Sequence, residues 1–175
     1  MKTLSLNQKL FGQYISKEIM NNFSILCRKK DVYNFLFSIS NKTKTTEIIK
    51  LANYYKTKYK TRDPFIICKK LEIPIMTTSV KSFKAYTVGI SHKVAIHINN
   101  NIKDLKSRRI LCAHELGHAL FHKNGYNEFN GYDVTKEYEA NLFAVAFLFD
   151  EKDFNMPLKD MSNYILKGIL NHNLK

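Results

Sequence analysis

Cysteine is scarce in this chain: three residues, Cys27, Cys68 and Cys112, among 175. They are an odd number without CxxC spacing, which argues against both a disulfide framework and a cysteine zinc knuckle. Their expected role is that of small buried hydrophobes. Long apolar runs are lacking as well. The longest, Leu142 to Phe149, has eight residues, less than half of the ~20 needed to cross a bilayer. A membrane-spanning helix is therefore excluded. The opening MKTLSLNQKLFGQYISKE carries charge but no apolar core and no small-residue cleavage site, so it does not read as a secretory signal. A cytoplasmic location is the expectation. Repeats and low-complexity tracts are also absent. Acidic residues are few, 15 against 28 Lys and Arg, for a formal charge of +13. The imbalance is local: residues 1–60 carry 12 basic and 3 acidic residues, residues 61–175 carry 16 and 12. Such a basic segment can face water, an acidic protein partner or nucleic acid, and charge alone does not choose among them.

What is present suits one folded domain. With 45% hydrophobic and 13% aromatic residues, a chain of this length can bury about two thirds of its unfolded surface, which excludes disorder as the main state. Within residues 1–40, Phe11, Tyr14, Ile15, Ile19 and Met20, then Val32, Phe35, Leu36 and Ile39, recur at helical spacing and predict two short amphipathic helices. Ser40 to Thr46 reads as a linker. Thr46 is expected to cap a helix from Glu47 to about Tyr59 that buries Ile48, Ile49, Leu51, Ala52 and Tyr55. Asp63 before Pro64 starts another short helix, ending near Leu71.

Ile73 to Thr78, Ala85 to Ile90 and Lys93 to Ile98 read as short strands, the latter two forming a hairpin around Ser91-His92. From about Asp104 the pattern turns helical through Phe121. A further helix is expected from about Thr135 to Phe149, and Pro157 permits a last amphipathic helix carrying Leu158, Met161, Ile165, Leu166 and Ile169. Helices, a small antiparallel sheet, then helices make an α+β arrangement. The division expected is a basic helical extension over residues 1–44 and a domain over 45–175.

Within the long helix stands His114-Glu115-Leu116-Gly117-His118. Residues four apart lie one turn above each other, so two imidazoles can converge on one zinc ion. Glu115, beside the first of them, can reach a water without ligating the metal. A catalytic zinc needs a third protein ligand, and an HExxHxxGxxH arrangement is absent because Phe121 and Asn124 occupy its last two defining positions. His122 lies one further turn along the same helix, too far along its axis to join the pair, and is read as a supporting residue. The better candidate is Glu137, 19 residues after His118. It shares a helix face with Ala140, Asn141 and Ala144, whose small alanines allow close approach, and Asn141 could hydrogen-bond a ligand. Glu139, on the face of Leu142, Phe143 and Ala146, is its rival. This set supports water-mediated peptide hydrolysis with Glu115 as base. Tyr126, Tyr132, Tyr138 and His172 are available to stabilise the oxyanion.

In these motifs the chain resembles the ImmA/IrrE family of zinc metallo-endopeptidases. The likeness rests on Arg62-Asp63-Pro64-Phe65, Ile96-His97-Ile98-Asn99, Ala113 to His118 with Leu120 and His122, and Glu137 ahead of Ala140-Asn141-Leu142-Phe143-Ala144. The resemblance covers about residues 45–150. It implies a zincin-like, gluzincin-type fold, zinc held by His114, His118 and Glu137, and Glu115 as catalytic base. It also implies a substrate class, helix-turn-helix transcriptional repressors of phage, mobile elements or stress responses. One departure stands out: the family's Leu-Leu-Met-Pro after the glutamate helix appears as Phe147-Leu148-Phe149-Asp150, with Met156-Pro157 displaced. Extended peptides commonly dock on a sheet edge, and a strand between Ile73 and Ile90, with Ala85 to Val88 as the stretch to test, is expected to supply it. Two other readings stand beside the enzyme: a protein that binds its repressor without cutting it and keeps a structural zinc, and a nucleic-acid binder using residues 1–60.

Overall fold

The computed structural model describes residues 44–79, 82–90, 93–122, 125–129 and 131–174. The two helices expected within residues 1–40, and Cys27, lie outside the described residues. Helices α1 (Lys44–Tyr59) and α2 (Pro64–Lys70) lead into strands β1 (Ile75–Thr78), β2 (Ala85–Ile90) and β3 (Lys93–Asn99). Helix α3 (Leu105–Phe121), strand β4 (Gly125–Glu128), helix α4 (Val134–Leu148), two 3-10 turns and helix α5 (Asn163–His172) follow. The chain is thus α+β, with five helices and four strands among the described residues.

The helix starts follow local chemistry. Asp63 accepts from the Phe65 amide, Asp104 from Ser107 and Asp133 from Thr135 and Lys136, each satisfying amides that a helix leaves unpaired at its first turn. Thr46 does not cap: the chain is already helical at Lys44, whose ammonium pairs with the Glu139 carboxylate. That tertiary contact overrides the local preference of Thr for a helix start. The last helix is also shorter than expected. Leu158 lies in a 3-10 turn, Met161 is extended, and Ser162 caps α5 through the Ile165 amide. Leu158 and Met161 still reach the core.

The sheet corrects an expectation. It is mixed rather than antiparallel, in the order β1-β3-β2-β4. β2 pairs antiparallel with β3, as the hairpin signal demanded, but β1 pairs parallel with β3, Ile75 opposite Ile96. The hairpin inserts β3 between β1 and β2, so β3 returns in the direction of β1. Strand β4, absent from the expected elements, lies antiparallel along β2, with Thr87 opposite Asn127. β2 is therefore internal, and Ala85 to Val88 offers no edge. Among the described residues the two edges are β1 and β4.

Ala85, Thr87, Ile96 and Ile98 are buried on the sheet face that meets α3. On the other side of α3 runs α4, flanked by α1 and α5. Every residue from Ile110 to Leu120 is buried, as a helix covered on both sides requires. Ile48, Leu51, Ala52 and Tyr55 of α1 belong to the same core. Cys68 and Cys112 are free and buried in it, 3.9 Å apart.

Candidate metal centre

The centre is built where α3 crosses α4. A Cβ placed on Gly117 would lie 2.9 Å from the Ala140 Cα and 3.2 Å from its carbonyl oxygen, closer than carbon atoms pack. Only a glycine lets these helices meet at bare backbone. The approach brings Glu137 of α4 against the two histidines of α3. His118 Nε2 lies 3.0 Å from His114 Nε2 and 3.0 Å from Glu137 Oε1, and His114 Nε2 lies 3.7 Å from Glu137 Oε2. Three donor atoms, one from each residue, fall within 4.8 Å of one another. All three side chains are buried.

Hydrogen bonds orient this set. Asn141 Nδ2 donates to Asn163 Oδ1 at 2.9 Å, leaving Asn141 Oδ1 to accept from His114 Nδ1–H at 2.9 Å. With its proton on Nδ1, His114 turns Nε2 toward His118 and Glu137. The Phe129 ring packs edge-on against the His114 ring, with centroids 4.8 Å apart. Burial holds His118 neutral, bringing its pKa down to about 4. For Glu137 burial acts upward, but the two imidazoles of His118 and His114 set against it outweigh that push and bring the carboxyl to about 2. His118 thus offers a lone pair and Glu137 an ionised carboxylate, the forms in which such side chains bind a metal.

Glu115, fully buried on α3, points to the sheet rather than to α4: Thr87 Oγ1 of β2 donates to its Oε2 at 2.7 Å. Glu139 is not part of the metal-ligating group found among the described residues. Its Oε2 is 2.9 Å from His122 Nε2, its Oε1 pairs with Lys44, and His122 Nδ1 is 3.0 Å from His118 Nδ1. Of the tyrosines considered for the oxyanion, Tyr132 is 98% exposed. Tyr126 sits in a ring cluster with Phe83 and Tyr86, and His172 is exposed in the last turn of α5. Thr87, Asn163 and Lys44 carry no local sequence signal for these roles. Each is brought in by an element distant along the chain.

Fold and site together define an α+β protein with a buried His-His-Glu group able to hold a metal ion. Residues 68–173 match the model of peptidase family M78, the IrrE N-terminal-like domain. The chain belongs to that family, the ImmA/IrrE family to which its motifs pointed. Among curated proteins, none matches it. No helix among the described residues is long and apolar enough to cross a membrane.

Proposed function

We propose that the protein is a zinc-dependent endopeptidase of the zincin type that cleaves a helix-turn-helix transcriptional repressor in the cytoplasm. One observation carries the metal reading. Glu137 Oε2 is buried without a hydrogen-bond partner, 3.7 Å from His114 Nε2. An ionised oxygen left so is costly, and a cation held by Glu137 Oε2, His114 Nε2 and His118 Nε2 would satisfy it. Two imidazoles and a carboxylate are a donor set of catalytic zinc sites, with a fourth position for water or substrate.

When bound, zinc supplies Lewis acidity, lowering the pKa of a water and polarising the scissile carbonyl. Glu115 takes the proton from the attacking water and passes it to the leaving amine. Thr87 fixes the Glu115 carboxylate through its hydroxyl hydrogen bond, and Asn141 holds the His114 tautomer. The substrate backbone is read as an added strand along an edge of the sheet. β4 is the edge favoured, because the register of Thr87 with Asn127 places it on the side of the strand that meets Glu115.

The repressor as substrate rests on family membership and on the motifs that resemble ImmA/IrrE proteins. Residues 45–175 are taken as the peptidase domain and residues 1–44 as a basic extension. α1 sharing the common core supports a domain that begins ahead of the matched residues. The test is incubation of the full chain, with Zn²⁺ and with a chelator, against a helix-turn-helix repressor encoded beside it. Chelator-sensitive cleavage that Glu115→Gln abolishes is the expected result. A repressor that stays intact yet loses its operator DNA would favour the reading in which the protein binds without cutting.

A further inference from the structure

We infer that Lys44, Glu139 and His122 form a relay that sets the tautomer of His118 and thereby the affinity of the site for zinc. The inference rests on the metal reading above and extends it to three side chains outside the ligand set. The chain of contacts is continuous: Lys44 Nζ on Glu139 Oε1, Glu139 Oε2 to His122 Nε2 at 2.9 Å, His122 Nδ1 to His118 Nδ1 at 3.0 Å. Glu139 and His122 lie largely inside the protein, their side chains 4% and 8% exposed, while Lys44 is 55% exposed.

The direction of every hydrogen bond follows from the outer end. Lys44 pairs with one oxygen of the Glu139 carboxylate and leaves the other to face His122. An ionised carboxylate only accepts, so His122 Nε2 must carry a proton and donate. With that proton on Nε2, the Nδ1 of His122 is the acceptor for His118 Nδ1–H. With its proton on Nδ1, His118 presents a bare Nε2 to Glu137 and His114. The opposite tautomer would put an N–H where the metal must bind. Metal-ligating histidines ordinarily give their far N–H to a carboxylate, a backbone carbonyl or water. Here a second histidine is interposed, so the carboxylate acts at one remove, and its own partner is the first turn of α1.

Zinc affinity of the full chain, read by competition with a chromophoric chelator, tests the relay. His122→Leu leaves His118 Nδ1–H without its acceptor and should weaken zinc binding by ~10–100-fold, the cost usual for such outer partners. His122→Asn, whose Oδ1 falls near the position of Nδ1, should recover most of that loss. Glu139→Gln should weaken binding by roughly 10-fold, since its amide can turn a donor toward His122. Lys44→Met should weaken it less. Wild-type affinity in folded His122→Leu overturns the relay, as does an equal loss in His122→Asn and His122→Leu, which would mark His122 as packing only. Should His122→Leu fail to fold, Glu139→Gln decides, and unchanged affinity there overturns the relay. A wild-type chain that binds no zinc refutes the metal reading itself, a result distinct from zinc binding that ignores all four substitutions.

Discussion

Glu137 and Glu139 stand two residues apart on one helix, both nearly buried and both held below the usual carboxylate range, yet they occupy different electrostatic regions. Glu139 has a permanent cation, Lys44, and both its oxygens are engaged. Glu137 faces two imidazoles among the described residues, and one of its oxygens is left without a hydrogen bond. The lesson is that burial and a depressed pKa do not mark a metal ligand. What sets Glu137 apart is its place against two other side chains able to hold a metal.

Glu115, the third buried carboxylate, sharpens the contrast most. Glu115→Gln should lower repressor cleavage by ~10²–10⁴-fold, the range of a lost general base, while zinc content by elemental analysis stays at the wild-type level. Retained cleavage would remove Glu115 from its role. Next in size, Glu137→Gln should weaken zinc by more than the ~100-fold that bounds outer partners, and so by more than Glu139→Gln. Equal losses in chelator competition would erase the distinction between the two regions.

Thr87→Val keeps the shape of the side chain but removes the donor to Glu115. A fall in kcat of about 10-fold is expected, with KM and zinc content unchanged and Thr87→Ser restoring the rate. The smallest effect is on acid stability of the metal-free chain. His118 titrates near 4 when folded against an ordinary 6.5, so the unfolded chain takes up the proton first and stability is lost as pH falls through that window. Glu137, near 2 against 4.5, extends the loss below pH 4.5. The thermal midpoint should drop by roughly 5–10 °C between pH 7 and pH 5. His118→Gln should flatten that decline.

Much of this was legible along the chain because it is local. Asp63 with Pro64, Asp104, and the four-residue spacing of His114 and His118 are signals that a few neighbouring residues complete. The face shared by Glu137, Ala140 and Asn141 was legible too, since helical periodicity alone puts them together. Strand pairing beyond the β2–β3 hairpin was not. Gly125 to Glu128 has neither alternation nor β-branched residues, and it becomes a strand only because β2 offers an open ladder. β1 likewise joins β3 through a neighbour set by the hairpin. Thr87 escaped notice for the same reason: a lone threonine in a strand gains meaning only from the helix packed beneath it. Lys44 read as linker because its partner, Glu139, lies 95 residues away.

The contact of Gly117 with Ala140 makes the crossing of two helices a mechanical stop. Because not even a methyl group fits between them there, the helices that carry the proposed ligands would have little room to draw closer around a smaller ion, leaving side-chain torsions to take up a mismatch. Under the proposed metal reading, the crossing would act as a gauge block for ionic radius, machined by the absence of one methyl group. Gly117→Ala would shim the helices apart, and the expected symptom is altered preference among divalent ions rather than simple loss of the fold.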